Sequence, residues 1–151
     1  MKLQTSTMLA LYSVLEAASH PEKQVSASEI AERYGVSAHH LAKVLRELGR
    51  AGLVESARGV GGGYRFSANA RRLTLMDVIE RFEDIGARPQ EPGMAHTDVG
   101  AAIARVLSEV DDIAKATFRS ITIDTLLKIV ERERRAQAAS AKTVAVPSPE
   151  A

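Results

Sequence analysis

Four basic or proton-accepting side chains, His39, Lys43, Arg46 and Arg50, follow one another at steps of four, three and four residues. Projected on a helix at about 100° per residue, they gather on one side, almost opposite Leu41, Val44, Leu45 and Leu48. A basic stripe backed by an aliphatic one is suited to holding a polyanion, although a solvated charged surface shares the pattern. No nucleophile, base and orienting group stand together as a catalytic set, so the chain reads as a binding protein and not an enzyme.

The neighbouring residues explain how the stripe is presented. Ser37 can cap the helix start, its hydroxyl accepting from a free first-turn amide, and Gly52 suits the left-handed residue that closes a helix, which places the helix over about residues 38–51. Leu53, Val54, Glu55 and Ser56, then Tyr64, Arg65, Phe66 and Ser67, alternate apolar and polar as half-buried strands do. The turn between them carries Arg58, Gly59 and Gly61 to Gly63. A basic helix followed by a hairpin with a basic tip is the arrangement of a recognition helix and wing in a winged helix-turn-helix.

Composition narrows the function classes. The chain has 151 residues and no cysteine, enough for one domain with an appendage, and without disulfides, thiolate metal sites or cysteine redox chemistry. Few aromatics and no tryptophan favour aliphatic helix packing over a base-stacking surface. The net charge of +1 hides an asymmetry: residues 1–72 hold ten Lys/Arg against six Asp/Glu, and residues 73–151 hold ten against thirteen. Seven basic residues and two acidic ones fall within residues 43–72. A polyanion-binding half is therefore joined to a half with another task. No apolar run is long enough to span a membrane and the first residues lack a signal-peptide core, so a soluble, cytoplasmic protein is expected.

Taken in order, residues 3–20 predict a first helix, with Met8, Leu11, Tyr12, Leu15 and Ala18 at helical spacing and Pro21 beyond its end. Ser26 and Glu29 fit a capping box that starts a short helix over residues 27–34, and Gly35, Val36 and Ser37 supply the tight turn into the basic helix. Thr74 and Asp77 start another capped helix, to about residue 83, burying Leu75, Val78, Ile79 and Phe82. Residues 84–97 read as a loop. From Asp98 a long helix runs to about residue 119, on the order of 33 Å, with Val99, Ile103, Val106, Val110 and Ile113 forming a heptad-like seam. Such a seam wants a partner helix, and homodimerisation is the economical explanation; packing back onto the same domain is the alternative. A last helix is expected over residues 122–133, followed by a disordered tail over 136–151.

The expected organisation is mainly α with a small β-hairpin. A winged helix-turn-helix domain occupies residues 1–83, a loop 84–97, and a dimerisation helix with a C-terminal helix 98–135. The segments EIAERYGVSAHHLAKVLRELGRAGLVESARGVGGGYRF, LTLMDVIERFE and ITIDTLLKIV together resemble the Rrf2 family of bacterial winged-helix transcription regulators, over roughly residues 1–133.

The resemblance implies a homodimer on a pseudo-palindromic DNA operator, with recognition helices in successive major grooves and wings in the adjacent minor grooves, most often acting as a repressor. It places Ser37, His39, His40 and Lys43 at recognition-helix positions and Arg58, Gly59 and Arg65 in the wing. The chemistry of these groups agrees: imidazole and ammonium donate to phosphates or base acceptors, and a wing arginine suits a narrow, electronegative minor groove. Two departures stand out. Residues 4–8 carry no basic side chain, leaving Thr5 and Ser6 as candidates for phosphate contact. The three cysteines with which well-known members bind an iron-sulfur cluster, in the loop before the long helix, are absent, so no cofactor is expected and signalling falls to a small molecule or a protein partner. His96, Asp98 and Glu91 form only a loose set of metal-ligand types at no established spacing, and no metal site is assigned. A regulator gated by metal near His96, and a winged-helix protein-interaction module without a DNA role, are the competing readings.

Overall fold

The computed structural model describes residues 1–58, 62–88, 93 and 96–144, with residues 143 and 144 described by backbone alone. Six helices and two strands follow the order α1 (Thr5–Ser19), α2 (Ala27–Tyr34), α3 (Ala38–Arg50), β1 (Val54–Ala57), β2 (Gly63–Phe66), α4 (Leu75–Ile79), α5 (Asp98–Ser120) and α6 (Ile123–Val144). The strands pair antiparallel, with Val54 opposite Phe66 and Glu55 opposite Arg65.

The centre of the core is α1. It packs against α3, α4, α6 and β2, and Leu9, Ala10, Val14 and Ala17 are all but inaccessible. A helix contacted from several directions buries a wide arc and not one stripe. The expected face of Met8, Leu11, Tyr12, Leu15 and Ala18 is corrected accordingly: Leu11 and Ala18 are buried, Met8 and Leu15 are half-buried, and Tyr12 faces outward. Tyr12 stacks on Tyr34 of α2, ring centroids 4.6 Å apart.

Local signals set most element boundaries. Ser26 and Glu29 form the reciprocal capping box of α2, and Gly35 closes that helix at φ +61°. Thr74 and Asp77 cap α4 in the same way. That helix ends at Ile79 and not near residue 83, because the Arg81 and Phe82 amides turn back to the carbonyls three residues earlier. At the C-terminus the departure is opposite: α6 continues to Val144, so the disorder expected from residue 136 does not apply to 136–144. Segment 131–142 is Ala-, Arg- and Glu-rich, and propensity with a Glu131–Arg135 ion pair at 3.6 Å supports helix there without burial. The rest of the expected tail lies outside the described residues.

One polar brace joins α1 to α2. The Glu16 carboxylate accepts from the Tyr34 hydroxyl at 2.6 Å and from Arg33 at 2.7 Å. Partial burial works to raise the Glu16 pKa, yet the hydrogen bonds from Tyr34 and Arg33 outweigh it and the net shift is downward from 4.5. Tyr34 moves up, through its own burial and then through Glu16. Because the folded-state pKa of Glu16 is the lower one, its stabilisation is fully present above 4.5 and is lost as pH falls through the folded value. Thermal melts recorded from pH 6 to pH 3 on the chain and on Glu16→Gln should therefore converge at the acid end, with the variant less stable near pH 6; parallel curves would assign the acid loss elsewhere.

Candidate nucleic-acid interface

The burial of Leu41, Val44, Leu45 and Leu48, none above 2% exposed, fixes the rotation of α3. With that stripe inward, His39, Lys43, Arg46 and Arg50 are solvent-exposed along the opposite face, as their spacing predicts. Ser37 caps the helix, accepting from the His40 amide at 3.3 Å. At the other end the Leu53 amide bonds to the Leu48 carbonyl and the Gly52 amide to the Gly49 carbonyl, each at 3.0 Å, with Gly52 at φ +73°. That pair of bonds is a Schellman motif; it turns the chain sharply into β1 and so sets where the wing leaves the helix.

The hairpin is anchored as well as paired. Val25, in the connection between α1 and α2, exchanges both backbone hydrogen bonds with Tyr64 at 2.8 Å, adding a one-residue third strand to the sheet. A Cβ on Gly63 would lie 2.7 Å from the Val25 carbonyl oxygen, so glycine is what lets the two backbones approach. Sequence reasoning missed this anchor. Val25 sits in a polar connection and has no alternating neighbours to mark it as a strand.

The expected contact residues divide by what already holds them. Lys43, Arg46 and Arg58 enter no ion pair among the described residues and leave their charge to solvent. Arg50 lies 3.7 Å from Glu47, an exposed pair that contributes little. Arg65 is held more firmly, with two hydrogen bonds to Glu55 at 2.6 and 3.2 Å across the strands. It would have to leave Glu55 to reach a phosphate. His40 is half-buried with Nε2 3.0 Å from Ser6 Oγ, which ties the start of α1 to the start of α3. Ser6, read from sequence as a phosphate contact, thus has a partner inside the protein. Gly59 lies outside the described residues, as does Glu91. His96 is exposed, and no group of three His, Asp or Glu side chains is placed to hold a metal among the described residues.

Along α5 the seam residues Val99, Ile103, Val106, Val110 and Ile113 are 51–70% exposed, joined by Leu107 at 38%. This stripe is contiguous, unlike the singly scattered apolar residues usual on a protein surface.

Comparison with known proteins agrees with this architecture. The family model Rrf2, described as an iron-dependent transcriptional regulator, matches residues 3–129. BadM of Rhodopseudomonas palustris, named as an HTH-type transcriptional regulator, is 52% identical over 135 residues, covering 89% of this chain and 86% of that protein. Among solved structures, CymR, the global cysteine regulator of B. subtilis, superimposes with a TM-score of 0.71 at 26% identity, covering 85% of this chain and 98% of CymR. IscR of T. potens gives a TM-score of 0.71 at 28% identity, covering 88% and 90%. No described helix is long and apolar enough to cross a membrane.

The Gly63 contact yields a direct test. Gly63→Val should lower the melting free energy by about 1–3 kcal/mol through forced backbone separation. It should also weaken DNA binding more than the stability loss alone explains, since the wing leaves its place on Val25. Unchanged melting and binding would remove the anchor from the interface.

Proposed function

We propose that this chain, which belongs to the Rrf2 family of transcriptional regulators, binds a pseudo-palindromic operator as a homodimer and acts as a repressor without an iron-sulfur cluster. The observation that carries the reading is the face of α3. Lys43 and Arg46 enter no ion pair among the described residues and stand on a helix whose rotation is fixed by a buried leucine stripe, and the hairpin that follows carries an exposed Arg58 at the end of β1. Such a helix enters a major groove and reads base edges, while the wing cation meets the backbone or the minor groove.

The exposed stripe of α5 supports the dimer. Two copies related by a two-fold axis would cover Val99, Ile103, Val106, Val110 and Ile113 against their equivalents and present two heads to two half-sites. The family description names iron, but the chain holds no cysteine to supply thiolates for a cluster. The signal in this reading is a small molecule or a protein partner, and the protein works in the cytoplasm with the DNA it binds.

Two measurements test the reading. Operator DNA, first sought upstream of the protein's own gene by gel shift, should be bound with an affinity that falls steeply with salt, at about 0.9 log units per log unit of salt for each phosphate neutralised. Lys43→Ala with Arg58→Ala should cost at least about tenfold in affinity and flatten that slope by about 3 to 4, four charges being lost per dimer. An unchanged slope would clear these residues of DNA contact. Val106→Asp, with a carboxylate at the centre of the seam, should convert a dimer to a monomer in sedimentation with its fold intact; a variant that stays dimeric places the interface elsewhere.

A further inference from the structure

We propose that Arg88 and Asp111 form a latch that fixes the direction of α5 relative to the recognition helix and thereby sets the half-site separation the dimer accepts. This inference rests on the dimer reading above.

Besides the packing of α6 on α1 and of α5 on α4, with Phe118 against the core, two polar attachments join α5 and α6 to the head. The first is the corner between them. The Ile123 amide bonds to the Leu73 carbonyl at 2.8 Å, the Leu75 amide to the Ile121 carbonyl at 2.9 Å and the Asp124 amide to the Ala70 carbonyl at 2.9 Å, with Ile123 fully buried. Between the corner and Asp111 only Ala114, Lys115 and Phe118 of α5 are half-buried, so packing holds just its last two turns. The second is Asp111, the one buried residue of α5, about 15 Å along the helix from the corner. Arg88 grips it with both ends of its guanidinium, at 2.7 and 2.8 Å. Two points define an axis, and between Asp98 and Val110 every residue except Gly100 is exposed.

The segment that carries Arg88 is itself pinned to the reading head. The Gln4 amide, at the start of α1, donates to Glu83 at 2.9 Å, and two residues further on Ser6 meets His40 of α3. Residues 83–88 therefore form a short bridge held at one end by α1 and at the other by α5. Gly86 makes the grip close: it sits at φ +100°, and a Cβ there would lie 2.9 Å from Asp111 Oδ2. The bidentate pair holds direction as well as distance, which a single contact would not. A shift of about 1 Å at Asp111 would turn α5 by about 4° about the corner, and the two-fold doubles that between the heads.

The test uses the full chain and DNA selected from a random pool by the wild-type protein, with the two half-sites then moved one base pair nearer or further apart. The wild type should lose about tenfold or more in affinity at either altered separation. Arg88→Ala should bind the original palindrome about tenfold more weakly, bind a single half-site as the wild type does, and respond to the altered separations by less than about threefold. A variant that retains the wild-type spacing profile, or that loses palindrome and half-site equally, overturns the latch. Arg88→Ala leaves Asp111 buried without its partner, and if it fails to melt cooperatively Asp111→Asn carries the same test, its neutral side chain leaving no stranded charge. Sedimentation separates the two levels: a monomeric wild type overturns the dimer reading, and a dimeric variant with an unaltered spacing profile overturns the latch alone.

Discussion

Burial of α1 on several sides at once is the constraint that the rest of the fold satisfies. Ala10 and Ala17, at 0% and 1% exposure, let neighbouring helices approach closely, while Leu9 and Val14 fill the space between them. Because α3 lies against this helix with a leucine stripe inward, its cations have one direction left, outward. Because α4 and the start of α6 also pack on α1, the α5–α6 corner is strapped to the same body. Electrostatics at the surface thus follows from packing in the interior: the basic face is where the aliphatic face is not.

Legibility in the sequence follows the range of the interaction. Elements fixed by near neighbours could be read at once. The capping boxes at Ser26 and Thr74, the Ser37 cap and the positive-φ glycines at 35 and 52 all act within five residues, and each stands where its spacing put it. The buried stripe of α3 was legible for the same reason, its period being set by one helix. The face of α1 was not, because which of its residues are buried depends on elements 30 to more than 100 residues away. The pairs Ser6–His40, Glu55–Arg65 and Arg88–Asp111 were invisible likewise. Glu55 faces Arg65 only once the register of a glycine-rich turn is known, and turn length is what a run of glycines leaves unspecified. The extension of α6 was missed for a different reason: its last turns are held by intrinsic propensity, and an Ala- and Ser-containing segment without apolar periodicity resembles a linker.

The pairing of charges refines what a basic patch means. Counted along the sequence, the segment from Lys43 to Arg72 offers seven cations, but in the fold they are not equivalent. Arg65 is matched by Glu55 directly across the sheet, so its positive charge is locally cancelled and its two hydrogen bonds help hold the strands in register. Lys43, Arg46 and Arg58 carry theirs outward. A polyanion gains from the second kind without breaking anything, whereas engaging the first kind costs an existing pair. The electrostatic footprint is therefore narrower than the composition.

The same packing explains how family membership carries the reading head and leaves the signal open. The buried core draws on α1 to α4, the connections between them, Ile85 and the single residue Ile123 from α6; no described residue between Gly86 and Gly100 contributes to it. Where the described residues of a connection support no core packing, their chemistry can change with little cost in fold stability, and the head stands intact in a chain without cysteine. At one end stands the bridge that Glu83 and Arg88 hold; at the other, Thr97, whose hydroxyl accepts from the Gly100 amide at 3.0 Å, starts α5. Both ends lead to the same long helix, so in the latch proposed above the direction of α5 is the quantity that residues bordering this segment can set.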